Sequence, residues 1–276
     1  LLSLSETLTM TASNPSYDPT LTKQNSSNNP ALNDQAFERA VARTGAAEKA
    51  GMTAMGAYLK TGFLLILRIL AGAWGWSQVQ IINIAGQQVA VQPGWTFLAF
   101  LLAFIFGMGG VFAGRFIPIF AIGYALSYGA ILGVAAHFFN MEWDGIVLQA
   151  ILVTIAVFLA TWLLYVTGII KVTSRFAMAV VIAMGGLMML YLMAWLLSLF
   201  GVNFSFLNSP TPLGIGFAVL IVVLAALNLP LDFEFIRRAS AAGAPKFMEW
   251  YGAFGLMLSI VWMYVSILRL LALLRS

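Results

Sequence analysis

The sequence predicts an all-α polytopic membrane protein with seven transmembrane helices. Apolar residues make up 61% of the 276 positions and charged residues only 9%, whereas a soluble domain carries about 25% charged residues. The apolar residues form seven long runs, each far longer than a barrel strand and without two-residue alternation, so these runs are predicted to be helices. Basic residues recur in every second loop between them.

The first 50 residues differ in composition from the rest of the chain. They are polar and rich in Ser, Thr, Asn and Pro, as in TASNPSYDPTLTKQNSSNNP. Such a segment buries too little apolar surface to order itself, so we predict a disordered N-terminal tail at 1–50 and one membrane domain at 51–276. Met10 is the expected natural start, because the residues before it do not form a convincing signal peptide.

Seven helices of about 20 residues or more are predicted in the membrane domain. Their ranges are 54–76, 95–113, 117–139, 145–169, 176–200, 213–236 and 247–274. The loops after the first and fifth helices carry no charge, and the loop after the third carries only Glu142 and Asp144. The tail and the loops after the second, fourth and sixth helices carry the basic residues Lys23, Arg39, Arg43, Lys49, Arg115, Lys171, Arg175, Arg237, Arg238 and Lys246. Because basic loops stay in the cytoplasm, the N-terminus is predicted inside and the C-terminus outside.

Several classes of function are disfavoured by the residue inventory. The chain has no cysteine and a single histidine, His137, which excludes thiol chemistry, disulfides and multi-histidine metal sites. The glycine-rich GMGGVFAG lies in an apolar run with no strand before it, so it is not a nucleotide-binding loop. We expect no enzymatic activity, no cofactor and no nucleic-acid partner. Small-residue spacing instead predicts close helix packing at Gly110 and Gly114 and at Gly129 and Gly133.

Two acids near one membrane face are the main candidates for a functional site. If helix six ends near Arg238 and helix seven begins near Pro245, then Asp232 and Glu249 lie roughly 9 and 6 Å from their helix ends. The two carboxyl groups are then at the same level on neighbouring helices. Acids near hydrocarbon are costly and are therefore functional candidates.

The predicted pair could share one proton and act as a pH sensor and ion gate. Protonated, it would close a mouth by hydrogen bonding; ionised, it would repel and attract a divalent cation, which predicts a transient calcium site at Asp232 and Glu249. In the alternative interpretation, both acids pair with Arg237, Arg238 or Lys246 at the headgroups.

Further polar residues are candidates for an ion pathway. Asn228 precedes Asp232 by one helical turn, whereas Glu234 is explained by ion pairs with Arg237 and Arg238 at the i+3 and i+4 positions. Arg68 lies in the middle of the first helix and needs an anion or several carbonyl groups around it, so it is a candidate counter-ion. One face of helix seven could line a path or pack tightly; it comprises Glu249, Gly252, Leu256, Ser259, Met263 and Ser266.

Several segments resemble the transmembrane Bax-inhibitor-motif family, and most of all its bacterial branch. The most specific is LNLPLDFEFIRRASAAGAPKFMEWYGAFGL, followed by VWMYVSILRLLALL. GWSQ, YALSYGAILG, IVLQAILVTIAVF and KVTSRF fit the same pattern. The resemblance covers roughly residues 50–275.

The resemblance implies a seven-helix bundle with a central last helix and a pH-sensitive calcium leak controlled by a carboxyl pair. Asp232 matches the acid of helix six. Ser259 stands where many members have the second aspartate, Ser266 where this branch often has a glutamate, and Tyr128 where a glutamate is common. Glu249 is therefore a substitute partner inferred from its depth alone.

These features together predict a passive, pH-sensitive cation leak channel, with calcium as the ion, in the lipid bilayer of a bacterial inner membrane. One alternative is a regulatory membrane protein that binds membrane proteases or other membrane complexes, with the polar tail as its handle. Another is a proton-coupled transporter of a small solute. Asn228, Ser259, Ser266 and Tyr128 are the predicted pathway residues.

Overall fold

The computed structural model describes residues 51–84, 87–201 and 209–276. The predicted tail at 1–50 lies outside the described residues. Within them, seven helices follow the predicted order: α1 Ala54–Ser77, α2 Thr96–Phe112, α3 Ile117–Glu142, α4 Ile146–Val166, α5 Ser174–Ser198, α6 Pro212–Ala241 and α7 Met248–Arg275. Six are long and apolar enough to cross a membrane, and α2 is a shorter apolar helix of 17 residues. The predicted all-α membrane fold is confirmed.

Local sequence signals fix where several helices begin. Thr53, Thr173 and Thr211 precede α1, α5 and α6, and each hydroxyl oxygen accepts a hydrogen bond from a backbone N–H in the first turn. Threonine is a favoured N-cap because its oxygen satisfies one of the donors left unpaired at a helix start. Pro212 occupies the first turn of α6, where a missing N–H has no cost.

The connection between α1 and α2 is a β-hairpin that the sequence interpretation missed. Strands β1 (Gln80–Ile84) and β2 (Gln87–Val91) pair antiparallel, with Ile82 opposite Val89. The segments QIINI and QQVAV contain several β-branched residues, which favour strands. This loop was considered only for its lack of charged residues and not for its strand propensity.

The last helix is the centre of the bundle, as predicted. Helix α7 packs against α1, α3, α4 and α6, and 56% of its membrane segment is buried, compared with 11–39% for the other five long helices. The face of α7 singled out in the sequence is buried along its whole length: Glu249, Gly252, Leu256, Ser259, Met263 and Ser266.

Helices α1 and α3 approach each other closely through glycines. A Cβ atom added at Gly133 would collide with the backbone of Gly72, and one added at Gly129 would lie 2.8 Å from the carbonyl oxygen of Arg68. The predicted close packing at Gly129 and Gly133 is therefore confirmed. The prediction for Gly114 is wrong, because this residue turns the chain between α2 and α3 with φ +54° and has open space around it.

Two hydrogen bonds to backbone carbonyl groups mark the two sides of the bundle. On one side, the N–H of Met52 donates to the carbonyl of Ala244 at 2.7 Å. On the other, Nη1 of Arg275 donates to the carbonyl of Asp144 at 3.0 Å. We call the first the basic side, because its helix ends and loops carry Arg115, Lys171, Arg175, Arg237, Arg238 and Lys246.

Replacing Gly133 by alanine is expected to destabilise the protein by about 2 kcal/mol, because the new methyl group forces two helix backbones apart. Gly185→Ala in α5 is the matched control, since a Cβ there meets nothing within 4 Å. Thermal unfolding of both variants in detergent measures the difference. Equal stability of the two would contradict the assigned α1–α3 contact.

Candidate functional site

Four of the predicted pathway and gate residues lie around one cavity within the membrane domain. The cavity has a volume of about 440 Å³ and is formed by α3, α5, α6 and α7. Its lining is mainly apolar, with polar atoms contributed by Tyr124, Tyr128, Asn228, Asp232, Ser259 and Trp262. Tyr128, Asn228, Asp232 and Ser259 are distant in the sequence, and the fold brings them together.

Asp232 is the acid of this cavity. The amide of Asn228, one turn earlier in α6, donates to the hydroxyl of Ser259 at 2.7 Å. Oδ2 of Asp232 is buried and has no hydrogen-bond partner among the described residues. Across from it, α7 presents Gly255, where an added Cβ would lie 3.7 Å from Oδ1. The carboxyl group thus lines the cavity, and no ion pair within the described ranges includes it.

Glu249 is in the opposite situation. Its side chain is 1% exposed and forms ion pairs with Lys60 and with Lys246, the latter at 2.7 Å. The N–H and the hydroxyl of Thr53 both donate to Oε1 at 2.9 Å. Four donors thus surround one carboxylate, so it joins the start of α1 to the start of α7 on the basic side.

The structure does not bring Asp232 and Glu249 together. Helix α6 continues to Ala241 and α7 begins only at Met248, so both helix ends lie three residues beyond their predicted positions. Asp232 is then about 14 Å from the end of its helix and Glu249 about 2 Å from the start of the next. The prediction that the two acids lie at equal depth is wrong. For Glu249, the alternative that the acid pairs with a basic residue near the headgroups is observed, because it forms an ion pair with Lys246.

This arrangement does not place the two carboxyl groups at one calcium site, because Asp232 lines the cavity whereas Glu249 is bound by Lys60, Lys246 and Thr53 on the basic side. In the ranges that the structure describes, no group of three or more His, Asp or Glu could hold a metal ion. Any ion passing Asp232 would meet one carboxylate with an amide and a hydroxyl nearby.

Arg68 lies next to the cavity, against a pair of stacked aromatic rings. Its guanidinium carbon is 5.0 Å from the ring centre of Tyr124 and 4.9 Å from that of Tyr128. The two rings are nearly parallel, with centres 5.4 Å apart. The guanidinium nitrogens are buried and have no hydrogen-bond partner in the described part of the chain. Neither an anion nor carbonyl groups bind Arg68 within the described residues, and the nearby ring faces, which attract cations, are its observed surroundings.

A sequence model of the family described as Bax inhibitor 1 like matches residues 22–276. The chain belongs to this family. Comparison with curated proteins and with solved structures gave no match. The family and the six long apolar helices together establish an integral membrane protein embedded in a lipid bilayer.

In this Bax inhibitor-like protein, Glu234 of α6 forms the ion pairs that its spacing predicted. Glu234 accepts hydrogen bonds from Arg237 at 2.6 Å and from Arg238 at 2.6 Å. The hydroxyl of Tyr165 adds a further bond at 2.7 Å. Of the three acids on these two helices, only Asp232 has no basic partner in an ion pair within the described residues.

Ser266, the remaining predicted pathway residue, lies outside the cavity lining of the Bax inhibitor-like domain. It is buried and donates to the carbonyl of Trp262 at 2.7 Å. Two other polar residues were not predicted. Tyr124 was missed, although it precedes Tyr128 by one turn and shares its helical face. Thr53 was missed as a ligand of Glu249, and nothing local to its sequence indicates that contact.

Substituting Glu249 by glutamine is expected to destabilise the protein by about 2 kcal/mol, because two lysines and Thr53 lose their shared anion. The matched control is Glu234→Gln, whose arginine partners have side chains more than 60% exposed and so lose little when the charge is removed. Unfolding in detergent compares the two variants. A larger loss for Glu234→Gln than for Glu249→Gln would contradict this account.

Proposed function

We propose that the protein is a pH-sensitive passive cation leak channel, that calcium is the ion, and that the ion passes Asp232 in the cavity. The observation that carries the proposal is the carboxyl group of Asp232, buried at a cavity of about 440 Å³ and without a cationic partner among the described residues. Unpaired acids within membrane helices mark ion pathways more often than structural sites.

The chemistry of the lining supports a cation as the permeating species. Carboxylate, amide and hydroxyl oxygens are the ligands that hard cations such as calcium prefer. Asp232, Asn228 and Ser259 supply one of each within the cavity. These three groups on two helices offer four oxygen atoms, fewer than the roughly six to eight that a resident calcium ion requires, which favours passage over storage. The family is associated with ion leak activity, in agreement with this proposal.

In this proposal Asp232 and Glu249 have separate roles: Asp232 makes the flux depend on pH, and Glu249 stabilises the closed state. Protonation of Asp232 changes the charge at the cavity, so flux depends on pH. Glu249, with Lys60, Lys246 and Thr53, holds the basic side of α1 and α7 closed. Opening then requires α1 and α7 to separate at the basic side while the cavity stays largely intact.

The proposal includes a location and an orientation. The basic loops all belong to one side of the bundle, so the basic side faces the cytoplasm by the positive-inside rule. The N-terminus is then cytoplasmic and the C-terminus outside, in a bacterial inner membrane. The protein acts without catalysis and without a cofactor, and calcium is its cargo.

Calcium flux into proteoliposomes is expected to change between about pH 6 and 8 in the wild-type protein, because the charge of Asp232 changes on protonation. Asp232→Asn keeps the shape of the side chain but does not titrate, so its flux should be independent of pH over the same range. Glu234→Gln is the matched control. It removes a carboxyl group from the same helix away from the cavity and should keep the wild-type pH dependence.

Two outcomes would overturn the proposal. Flux through Asp232→Asn that varies with pH as in wild type would remove Asp232 from the mechanism. No flux above that of empty liposomes at any pH, from protein with native helical content, would exclude the channel and favour the regulatory alternative.

Ser259→Val is expected to lower flux at every pH, because two methyl groups replace a hydroxyl in the cavity wall. Ser266→Val places the same group on the same face of α7 outside the cavity lining, and its flux should stay close to wild type. Initial rates at one calcium concentration compare the two variants. Equal losses would show that helix packing rather than the cavity controls the flux.

A further inference from the structure

The β-hairpin between α1 and α2 stands apart from the helices. Its strands pair with each other, and neither makes an extensive contact with any described helix. An isolated two-stranded hairpin is only marginally stable in water. The hairpin therefore needs a surface to pack against that the described part of the chain does not supply.

One face of the hairpin is apolar and exposed. Because side chains alternate along a strand, Ile82 shares a face with Val89 opposite it and with Val91. These three side chains are 41%, 40% and 40% exposed. Gln80 lies on the same face, opposite Val91, whereas Asn83 and Ile81, which is 50% exposed, lie on the other face. The first face thus presents three exposed β-branched side chains without a cover among the described residues.

The composition around the hairpin argues for a lipid surface. No charged residue occurs between Arg68 and Arg115, so the segment offers nothing for electrostatic recognition of a protein. The rings of Trp74 and Trp95 lie 4.8 Å apart at the two helix ends from which the hairpin emerges. Tryptophan is enriched at the membrane–water interface. Both strands are continuous with these membrane helices, which places the hairpin at the bilayer surface.

We propose that the hairpin lies in the headgroup region of the leaflet opposite the basic side, with Ile82, Val89 and Val91 facing the acyl chains. The outer edges of the two strands carry backbone groups without a ladder partner in the described sheet. Such groups are not tolerated in hydrocarbon. They are satisfied in the headgroup region by water and lipid oxygens, so the hairpin is a surface anchor and does not enter the bilayer core.

Site-directed spin labelling tests the proposal on the full-length protein in liposomes. Because the chain has no cysteine, Ile82→Cys and Val89→Cys each accept one nitroxide. The readout is the ratio of relaxation by oxygen, which concentrates in lipid, to relaxation by a water-soluble nickel complex. Asn83→Cys labels the opposite face of the same strand, and Asp144→Cys labels an exposed loop on the same side of the bundle. Native helical content by circular dichroism qualifies each variant.

The expected result is a ratio several-fold higher at Ile82 and Val89 than at Asn83, with Asp144 lowest. Either of the two lipid-facing labels suffices if the other variant does not fold. Ratios at Ile82, Asn83 and Val89 that all equal the value at Asp144 would overturn the proposal. Spin–spin broadening at Ile82 that grows with the protein-to-lipid ratio would also overturn it, because a second copy would then cover the hairpin.

Discussion

In hydrocarbon, a charged group is stable only if its partners are supplied by the protein itself, and the architecture follows from that constraint. Glu249 satisfies it with four donors from three residues, which fixes the start of α1 against the start of α7. Arg68 contacts two aromatic rings but has no hydrogen-bond partner for its guanidinium nitrogens within the described residues. Asp232 has no basic partner in an ion pair there, and it is the acid that lines the cavity.

Close packing of α1 against α3 allows Arg68 to contact its aromatic neighbours. The contact of Gly133 with Gly72 brings the backbones of α1 and α3 together, so Arg68 reaches the rings of Tyr124 and Tyr128 directly. The central helix α7 carries Glu249 near one end and, about halfway along, Ser259, which lines the same cavity as Asp232. The polar lining of the cavity and the close glycine contact therefore involve the same helix, α3.

The sequence predicts the helices well because hydropathy over about 20 residues is a strong signal. The buried face of α7 and the ion pairs of Glu234 also follow from local spacing. The depths of Asp232 and Glu249 do not, because an error of three residues at each helix end moves the two levels apart by about 9 Å in total. Contacts such as that of Thr53 with Glu249 join residues far apart in the sequence, so no local sequence pattern predicts them.

Helix α5 gives the cavity an unusual wall. It packs extensively against α6 alone among the described elements, and Val180 is its one buried residue. Yet Met184, one turn further on, lines the cavity. The wall between the polar interior and the surrounding lipid is thus a single helix, held by α6 and by the hydrogen bond that Arg269 of α7 donates to the hydroxyl of Tyr191. Because membrane helices adapt to bilayer thickness partly by tilting, the thickness of the surrounding bilayer is expected to affect the shape of the cavity.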